Sequence, residues 1–185
     1  MARKTVWWLT GIGLIFGALI MRDSIAQRVA NAKAHPNVKA FLNTIGKPES
    51  KGRYNVIYSA PGTPDRFFTD YSAHPNMRIP FDNPRTGKRD FSTAAGKYQI
   101  NYPTWLTIQA VAFLPDFSPE SQDVAAIWLM QLRGALDYVI AGDFDNAIRV
   151  ASKTWASLPG SDSGQHRTAF NSVRNTYIQN GGNIA

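Results

Sequence analysis

The chain has 185 residues, with 20 Lys and Arg against 13 Asp and Glu, and it contains no cysteine. This length suits a single domain, and the lack of cysteine excludes a disulfide scaffold, a thiolate zinc site and a cysteine nucleophile. His35, His74 and His166 stand at no metal-ligand spacing, so no metal and no other cofactor is expected.

The positive charge is divided unevenly along the chain. The first 22 residues carry +3 from Arg3, Lys4 and Arg22 and no acid, whereas the remainder carries 17 basic and 13 acidic residues. The remainder is only mildly basic, so nucleic acid is not an expected partner.

An uncharged run from Thr5 to Met21 follows the first basic pair. As a helix it would span about 25 Å, against about 30 Å for the hydrocarbon core of a bilayer. Basic residues in front of the run favour a cytoplasmic N-terminus, and residues 1–22 are therefore predicted to form a signal anchor. Two alternatives stay open: a signal peptide cleaved after Ala26, and a buried helix.

Residues 23–37 are predicted to form a linker, helical or loose, and residues 38–185 the folded domain. His35 and Pro36 break the linker. The following residues place Val38, Phe41, Leu42 and Ile45 on one face at helical spacing. Gly46 and Pro48 are predicted to end this helix.

The segment from Glu49 to about Phe91 lacks a long helical period. Tyr54–Ser59 alternates like a short strand, and Pro61–Asp65 has the composition of a turn. A small hairpin region or a binding loop is predicted here.

The rest of the chain is predicted to be helical again. One helix begins at Ser118, with Pro119 and Glu120 in its first turn, and ends near Gly134. Further helices are expected over Ala135–Ala141, Asp143–Trp155 and Arg167–Gln179. The prediction is a mainly helical architecture with a small β-containing lobe inserted after the first helix of the domain.

The inventory of acids points to one residue. Only Glu49 and Glu120 are glutamates, and Glu120 is explained by the favourable interaction of an acid with the start of a helix. Glu49 has no such explanation. Packed against aromatic residues, its carboxyl would have a raised pKa and act as a general acid; the alternative is an ordinary exposed loop residue.

Other candidate residues give weaker signals. Asp70 and His74 are four residues apart and are able to pair, although such a pair on a turn is more often structural. Neither a Gly-x-Ser-x-Gly element nor a phosphate-binding loop is present. Aromatic residues near the polar segment fit a sugar-binding cleft, or else core packing.

Several distinctive segments are spread across about residues 38–182: AFLNTIGKPES (40–50), YNVIYS (54–59), FTDYSAHP (68–75), STAAGKYQI (92–100), DFSPESQDVAA (116–126), RGAL (133–136) and WASLPG (155–160) with a later Gly-Gln. Together, and in this order, they resemble the lambda-type phage endolysin family, the lytic transglycosylases that cut bacterial peptidoglycan. The resemblance implies an α+β, mainly α, lysozyme-like fold with a helical lobe, a small β lobe and a cleft between them.

The resemblance also assigns roles to individual residues. The family's catalytic glutamate falls on Glu49, the same residue that the acid inventory left unexplained. The substrate-binding residues implied by the matching segments are Tyr54, Asp70, His74, Ser92, Thr93, Tyr98 and Gln99. Trp155 is expected to pack in the core. Three positions depart from the family's pattern: Lys47-Pro48-Glu49-Ser50 replaces a more usual Trp-Ser-Glu-Gly, Asn55 stands where the best-known member has an acid, and Ser163 stands where that member has a tyrosine.

The function implied is that of a phage endolysin, which cleaves the MurNAc–GlcNAc bond with a 1,6-anhydro product and lyses the host cell. A hydrolytic muramidase on the same fold and a non-catalytic, membrane-anchored or virion wall-binding protein are the alternatives. The expected partners are peptidoglycan glycan strands and, through residues 5–21, the host inner membrane. A monomer is expected, with its catalytic domain in the periplasm.

Overall fold

A computed structural model of the chain describes residues 21–60, 62–162 and 167–185. Helices form most of this structure, and two small antiparallel sheets lie between the second and third helix. In chain order the elements are α1 (residues 21–33), α2 (Pro36–Ser50), β1 (Val56–Ile57), β2 (Arg66–Phe67), β3 (Ile79–Asp82), β4 (Arg89–Ser92), α3 (Tyr102–Ala112), α4 (Pro119–Arg133), α5 (Leu136–Ala141), α6 (Phe144–Ala151) and α7 (Phe170–Gln179). The predicted α+β architecture, with a helical lobe and a small β lobe, is confirmed.

Helix α2 runs through the centre of the helical lobe. Phe41 is fully buried and makes edge-on ring contacts with Phe144 and Tyr177, at centroid distances of 6.4 and 6.2 Å. Val38 and Ile45 are also fully buried, as their helical spacing predicted. The apolar face of α2 therefore holds α6 and α7 against it.

The predicted end of α2 at Gly46 and Pro48 is wrong, because the helix continues to Ser50. Gly46 is a packing residue: a Cβ atom there would lie 2.7 Å from side-chain carbons of Lys97. Pro48 lies inside the last turns of the helix, where it has no backbone N–H to donate to the preceding turn. The helix ends at Lys51, which has left-handed geometry (φ 58°). Glu49 is consequently a helical residue and not a loop residue.

The helices of the second half begin and end close to the predicted positions. Ser118 caps α4, its hydroxyl accepting from the Ser121 N–H at 3.3 Å, and Gly134 ends the helix with φ 77°. Helix α6 is shorter than predicted, since it stops at Ala151 and turns continue to Trp155. The last helix begins at Phe170, three residues later than predicted.

The β lobe consists of two hairpins, which confirms the predicted hairpin region. In the first, Val56 is opposite Phe67; in the second, Ile79 is opposite Ser92. An isolated bridge between Ile57 and Ala95 connects the first hairpin to the loop that follows the second. Pro61, the first residue of the predicted turn, lies outside the described residues.

Helix α1 contains most of the predicted linker. Its Val29 and Ala32 are 2% and 4% exposed and belong to the same core as α2. Ion pairs from Arg28 to Asp137 and from Lys33 to Glu120 connect it to the helical lobe. These residues are thus helical and docked on the domain.

The predicted signal anchor, residues 1–22, lies outside the described residues apart from Met21 and Arg22, and Ser163 also lies outside them. Within residues 21–60, 62–162 and 167–185, no helix combines the length and the apolar character that a membrane crossing requires.

Candidate functional site

A cleft of about 620 Å³ opens between the end of α2, the β lobe and the loop after α6. Its lining combines charged, amide and aromatic side chains, which suits an extended polar ligand. The residues that line it are Pro48, Glu49, Ser50, Lys51, Arg53, Val56, Tyr58, Ser59, Asp65, Phe81, Asp82, Pro84, Ala94, Gln99, Asn101, Thr154, Trp155, Ala156 and Ser157.

Glu49 projects into this cleft from the last turn of α2. Its Oε1 atom accepts a hydrogen bond from the Ser157 hydroxyl at 2.6 Å and a second from the Ser157 backbone N–H at 3.3 Å. Burial raises the pKa of Glu49 above its ordinary value, and the bonds from Ser157 oppose that rise. A carboxyl with a raised pKa retains its proton at higher pH, which is the property that a general acid requires.

Ser157 is held in place by its neighbours in the loop after α6. The indole Nε1–H of the buried Trp155 donates to the Tyr98 carbonyl oxygen at 3.2 Å, and Leu158 is fully buried. The Ser157 carbonyl oxygen accepts from the Thr168 N–H at 2.9 Å. The expected core position of Trp155 is confirmed. Ser157 was not predicted as a site residue, although it lies within the WASLPG segment.

Tyr54 and Tyr98 take part in a buried polar network behind the cleft. Both phenol hydroxyls donate to Oδ1 of Asp123, at 2.9 and 2.5 Å, and Lys97 Nζ donates to the Tyr54 hydroxyl at 3.1 Å. Burial, followed by the Asp123 charge, raises the pKa of both tyrosines, and burial lowers the pKa of Lys97. This network fixes the loop around Tyr98 to α2 and α4.

Gln99 is the predicted binding residue that the structure brings into the cleft together with Glu49. Its backbone has left-handed geometry (φ 46°). Its amide Nε2–H donates to the Gly96 carbonyl oxygen at 2.9 Å, which closes a tight turn. The turn presents the Gln99 side chain beside the floor of the cleft.

His74 and Asp70 have different partners and do not pair with each other in the described hydrogen bonds. The buried His74 ring contacts the Ile100 carbonyl oxygen through Nε2 at 2.9 Å and accepts from the Asn76 N–H through Nδ1 at 3.1 Å. Burial lowers the pKa of His74, so the neutral ring is favoured. The Asp70 carboxylate accepts from the Ser72 N–H at 2.8 Å in an exposed turn, and this bond lowers its pKa.

Ser92 and Thr93 stabilise the local backbone between β4 and α3. The Ser92 hydroxyl accepts from the Ala94 N–H at 3.2 Å, and the Thr93 hydroxyl accepts from the Tyr102 N–H at 3.0 Å at the start of α3. Of the predicted substrate-binding residues, those outside the described lining of the cleft are Tyr54, Asp70, His74, Ser92, Thr93 and Tyr98. Their contact with substrate stays a prediction.

A cluster of charges that the sequence analysis did not single out lies at the rim of the cleft. The side chains of Lys51 and Arg53 donate to the same atom, Oδ2 of Asp65, at 2.8 and 2.5 Å. These bonds lower the pKa of Asp65. Asp82, a further carboxylate of the lining, pairs with Arg89 at 3.4 Å. The signal in the sequence was the spacing of Lys51 and Arg53 two and four residues after Glu49.

Comparison with known proteins gives one consistent result. The family model described as Endolysin matches residues 39–184. The endolysin of Escherichia phage P2 is 38% identical over 161 residues, which cover 80% of this chain and 94% of that protein. The endolysin of Escherichia phage lambda is 36% identical over 155 residues, covering 79% and 92%.

Solved structures agree with these sequence relatives. The lysozyme of bacteriophage lambda complexed with a chitohexasaccharide superimposes with a TM-score of 0.70 at 34% identity, covering 81% of this chain and 97% of that one. Another structure of the lambda lysozyme gives a TM-score of 0.66 at 32% identity.

Proposed function

This chain belongs to the endolysin family, and on that premise we propose that it degrades bacterial peptidoglycan as a lytic transglycosylase. The bond cleaved would join MurNAc to GlcNAc, and its cleavage would lyse the host cell of a phage. The lambda lysozyme was solved with a chitohexasaccharide, a chain of linked sugars, which supports a glycan strand as the ligand of the cleft here.

The observation that carries this proposal is the environment of Glu49. The residue lies in the cleft at a helix end, its pKa is raised by burial, and one of its oxygen atoms is occupied by Ser157. The bonds to Oε1 leave Oε2 as the oxygen that donates the proton to substrate. This arrangement supports Glu49 as the general acid.

The proposed reaction requires a single carboxyl group. Protonated Glu49 donates its proton to the glycosidic oxygen as the bond from that oxygen to the anomeric carbon breaks. The 6-hydroxyl oxygen of the same MurNAc then bonds to the anomeric carbon, and the Glu49 carboxylate accepts the hydroxyl proton. The product is a 1,6-anhydro ring, no water is consumed, and Glu49 returns to its protonated form.

A hydrolytic muramidase on the same fold is the second candidate, because Asp65 and Asp82 line the same cleft. A hydrolase of the usual kind uses two carboxyl groups, about 5–5.5 Å apart for retention or about 6.5–9.5 Å apart for inversion. Asp65 and Asp82 each pair with cationic side chains, which supports a structural role for both over a catalytic one.

Product analysis of purified peptidoglycan tests the proposal. Mass spectrometry of the fragments released by the full-length chain is expected to find anhydro ends. Reducing ends, which are about 18 mass units heavier because water has been added, would establish the hydrolase instead. Binding to the wall without any release of fragments would reject both and favour the non-catalytic alternative.

We also propose, from the sequence, that residues 5–21 hold the chain in the host inner membrane before its release to the periplasm. Gly11, Gly13 and Gly17 make the run weakly hydrophobic, which favours exit from the bilayer. N-terminal sequencing of the membrane-bound and periplasmic protein tests this. An intact N-terminus in both fractions is expected, whereas a start after Ala26 would establish a cleaved signal peptide.

A further inference from the structure

We propose that Lys51 and Arg53 form a binding site for the carboxylates of the peptide carried by muramic acid beside the bond that is cleaved. The inference rests on the proposed function, since it names which form of peptidoglycan the cleft prefers. The two residues are called the cation pair below.

The cation pair lies directly after the candidate acid in the chain. Lys51 and Arg53 follow Glu49 by two and four residues, and all three line the same cleft. Because α2 ends at Lys51, the chain leaves the helix directly beside the candidate acid and carries both cations along the rim. A ligand bound at Glu49 is therefore within reach of the cation pair.

The donor atoms of the cation pair already converge on a carboxylate oxygen. Lys51 Nζ and Arg53 Nη2 both bond Oδ2 of Asp65, at 2.8 and 2.5 Å. The Arg53 guanidinium also stacks on the ring of Phe67, with its Cζ 4.7 Å from the ring centroid. This stacking orients the planar guanidinium group before a ligand binds. Less conformational entropy of the Arg53 side chain is therefore lost on binding.

The cation pair carries more positive charge than its carboxylate partner neutralises. Two cations share one carboxylate, so the cluster of Lys51, Arg53 and Asp65 keeps a net charge of +1 beside the cleft. The Lys51 side chain is 74% exposed, which leaves its ammonium group open to a second anion. This positive charge is local to the cluster, since Asp82 lines the same cleft, and a local excess of positive charge favours negatively charged ligands beside it.

The backbone of Lys51 has a conformation that is uncommon for a lysine. Its left-handed φ of 58° is one that glycine and asparagine adopt more easily than lysine. Lysine is therefore less favourable than glycine at this position. A positive side chain in such a position is thus kept at the expense of stability, which is consistent with a role in binding.

The chemistry of the substrate supplies the matching group. The sugars of a peptidoglycan strand bear no net charge once the muramic acid carboxyl is joined to its peptide, whereas that peptide ends in and contains free carboxylates. Removal of the peptide by hydrolysis frees the muramic acid carboxyl itself, so the comparison requires that this carboxyl be blocked as a neutral amide. The cation pair therefore distinguishes strands that carry peptides from strands that have lost them and are blocked in this way. A charge-assisted bond from arginine to a carboxylate is the stronger of the two contacts expected.

The test compares two substrates: intact peptidoglycan and the same material stripped of peptides by an amidase, with the muramic acid carboxyl that the amidase frees then converted to a neutral amide. The readout is the ratio of kcat/KM on the first to kcat/KM on the second, for the full-length chain. The double variant Lys51→Asn, Arg53→Gln removes both charges and keeps a residue that tolerates the left-handed backbone. We expect this ratio to fall about fivefold to tenfold, as two partly exposed charge contacts are lost.

Two controls keep the outcome interpretable. Lys39→Gln, Arg174→Gln removes the same charge from exposed positions outside the cleft lining and is expected to leave the ratio unchanged. Asp65→Asn frees the cation pair from its partner and is expected to raise the ratio about twofold to threefold. An unchanged ratio in the Lys51/Arg53 variant, or an equal fall in the control, overturns the proposal. Failure of the unmodified chain to cleave either substrate rejects the proposed function instead.

Discussion

Two helix termini of the molecule each carry a glutamate, and their surroundings affect its negative charge in opposite ways. Glu49 lies at the C-terminal end of α2, half-buried in the cleft, with Ser157 as its hydrogen-bond donor. Glu120 lies in the first turn of α4, with a side chain 76% exposed and paired with Lys33. The first environment disfavours the negative charge through burial and the helix dipole; the second accommodates it.

The difference shows how position, and not residue type, decides what a carboxyl group does. A carboxylate in the first turn of a helix contributes to stability. A carboxyl in a cleft at the other end of a helix destabilises the fold when it is ionised. Its pKa is raised for the same reason, and this suits it to act as a general acid. The following experiments substitute one or the other glutamate, or the serine that bonds Glu49.

The largest expected effect is on catalysis. Glu49→Gln is expected to reduce the rate of peptidoglycan cleavage about 10³-fold, since proton transfer by a positioned acid contributes about 10²–10⁴-fold. Glu120→Gln, the matched substitution at the other helix end, is expected to stay within about twofold of the unmodified chain. Turbidity loss of a peptidoglycan suspension measures both. Comparable rates for the two variants would reject Glu49 as the acid.

The next effect concerns the residue that positions Glu49. Ser157→Ala removes a bond that favours the carboxylate, so the pKa of Glu49 should rise and the alkaline limit of kcat/KM should move to higher pH. We expect kcat to fall about tenfold, because the carboxyl loses its fixed orientation. Ser152→Ala is the control, since that hydroxyl bonds the Arg149 carbonyl oxygen and does not line the cleft. A pH profile identical to that of the control would rule out positioning by Ser157.

A smaller effect is expected on stability. The pKa of Glu49 is raised from an ordinary value of 4.5 in the folded chain, so above pH 4.5 the native state keeps a proton that the unfolded state has lost. The stabilisation of the folded state by protonated Glu49 is fully present below pH 4.5. It is lost as the pH rises through the pKa that Glu49 has in the folded chain. Glu49→Gln removes this decline, and its melting temperature should exceed that of the unmodified chain by about 2–4 °C at pH 7.

Calorimetry at pH 4 and pH 7 checks this expectation. The advantage of Glu49→Gln should be smaller at pH 4, where the unfolded carboxyl is itself mostly protonated. An equal increase in melting temperature at both pH values would contradict this explanation. The glutamine side chain would then stabilise the cleft by some means other than the removal of a buried charge.

The smallest effect is expected at the other glutamate. Glu120→Gln is predicted to lower the free energy of unfolding by about 0.5 kcal/mol, because an exposed ion pair and a helix-dipole interaction are weakened. Urea denaturation at low ionic strength measures the loss, which should largely disappear in about 1 M salt. A loss that persists in high salt would point to packing by Glu120 and not to charge.

Local chemistry made much of the fold readable from the sequence. Ser118 in front of Pro119 and Glu120 fixes the start of α4 through bonds within a few residues, and Gly134 ends that helix through its own left-handed geometry. The apolar positions of α2 lie on one face for the same local reason. The predicted end of α2 at Gly46 was wrong, because this glycine allows close packing against Lys97, 51 residues later in the chain.

The sequence by itself determined the helical framework, the hairpin region and Glu49 as the candidate acid, since propensities, caps and the absence of a local explanation are properties of neighbouring residues. Only the tertiary structure decided what surrounds that acid. Ser157 is 108 residues away from Glu49 along the chain, and Tyr54 and Tyr98 meet at Asp123 instead of lining the cleft. Such contacts depend on which helices and loops pack together. Burial raises the pKa of Glu49, and this burial exists only once those elements are packed.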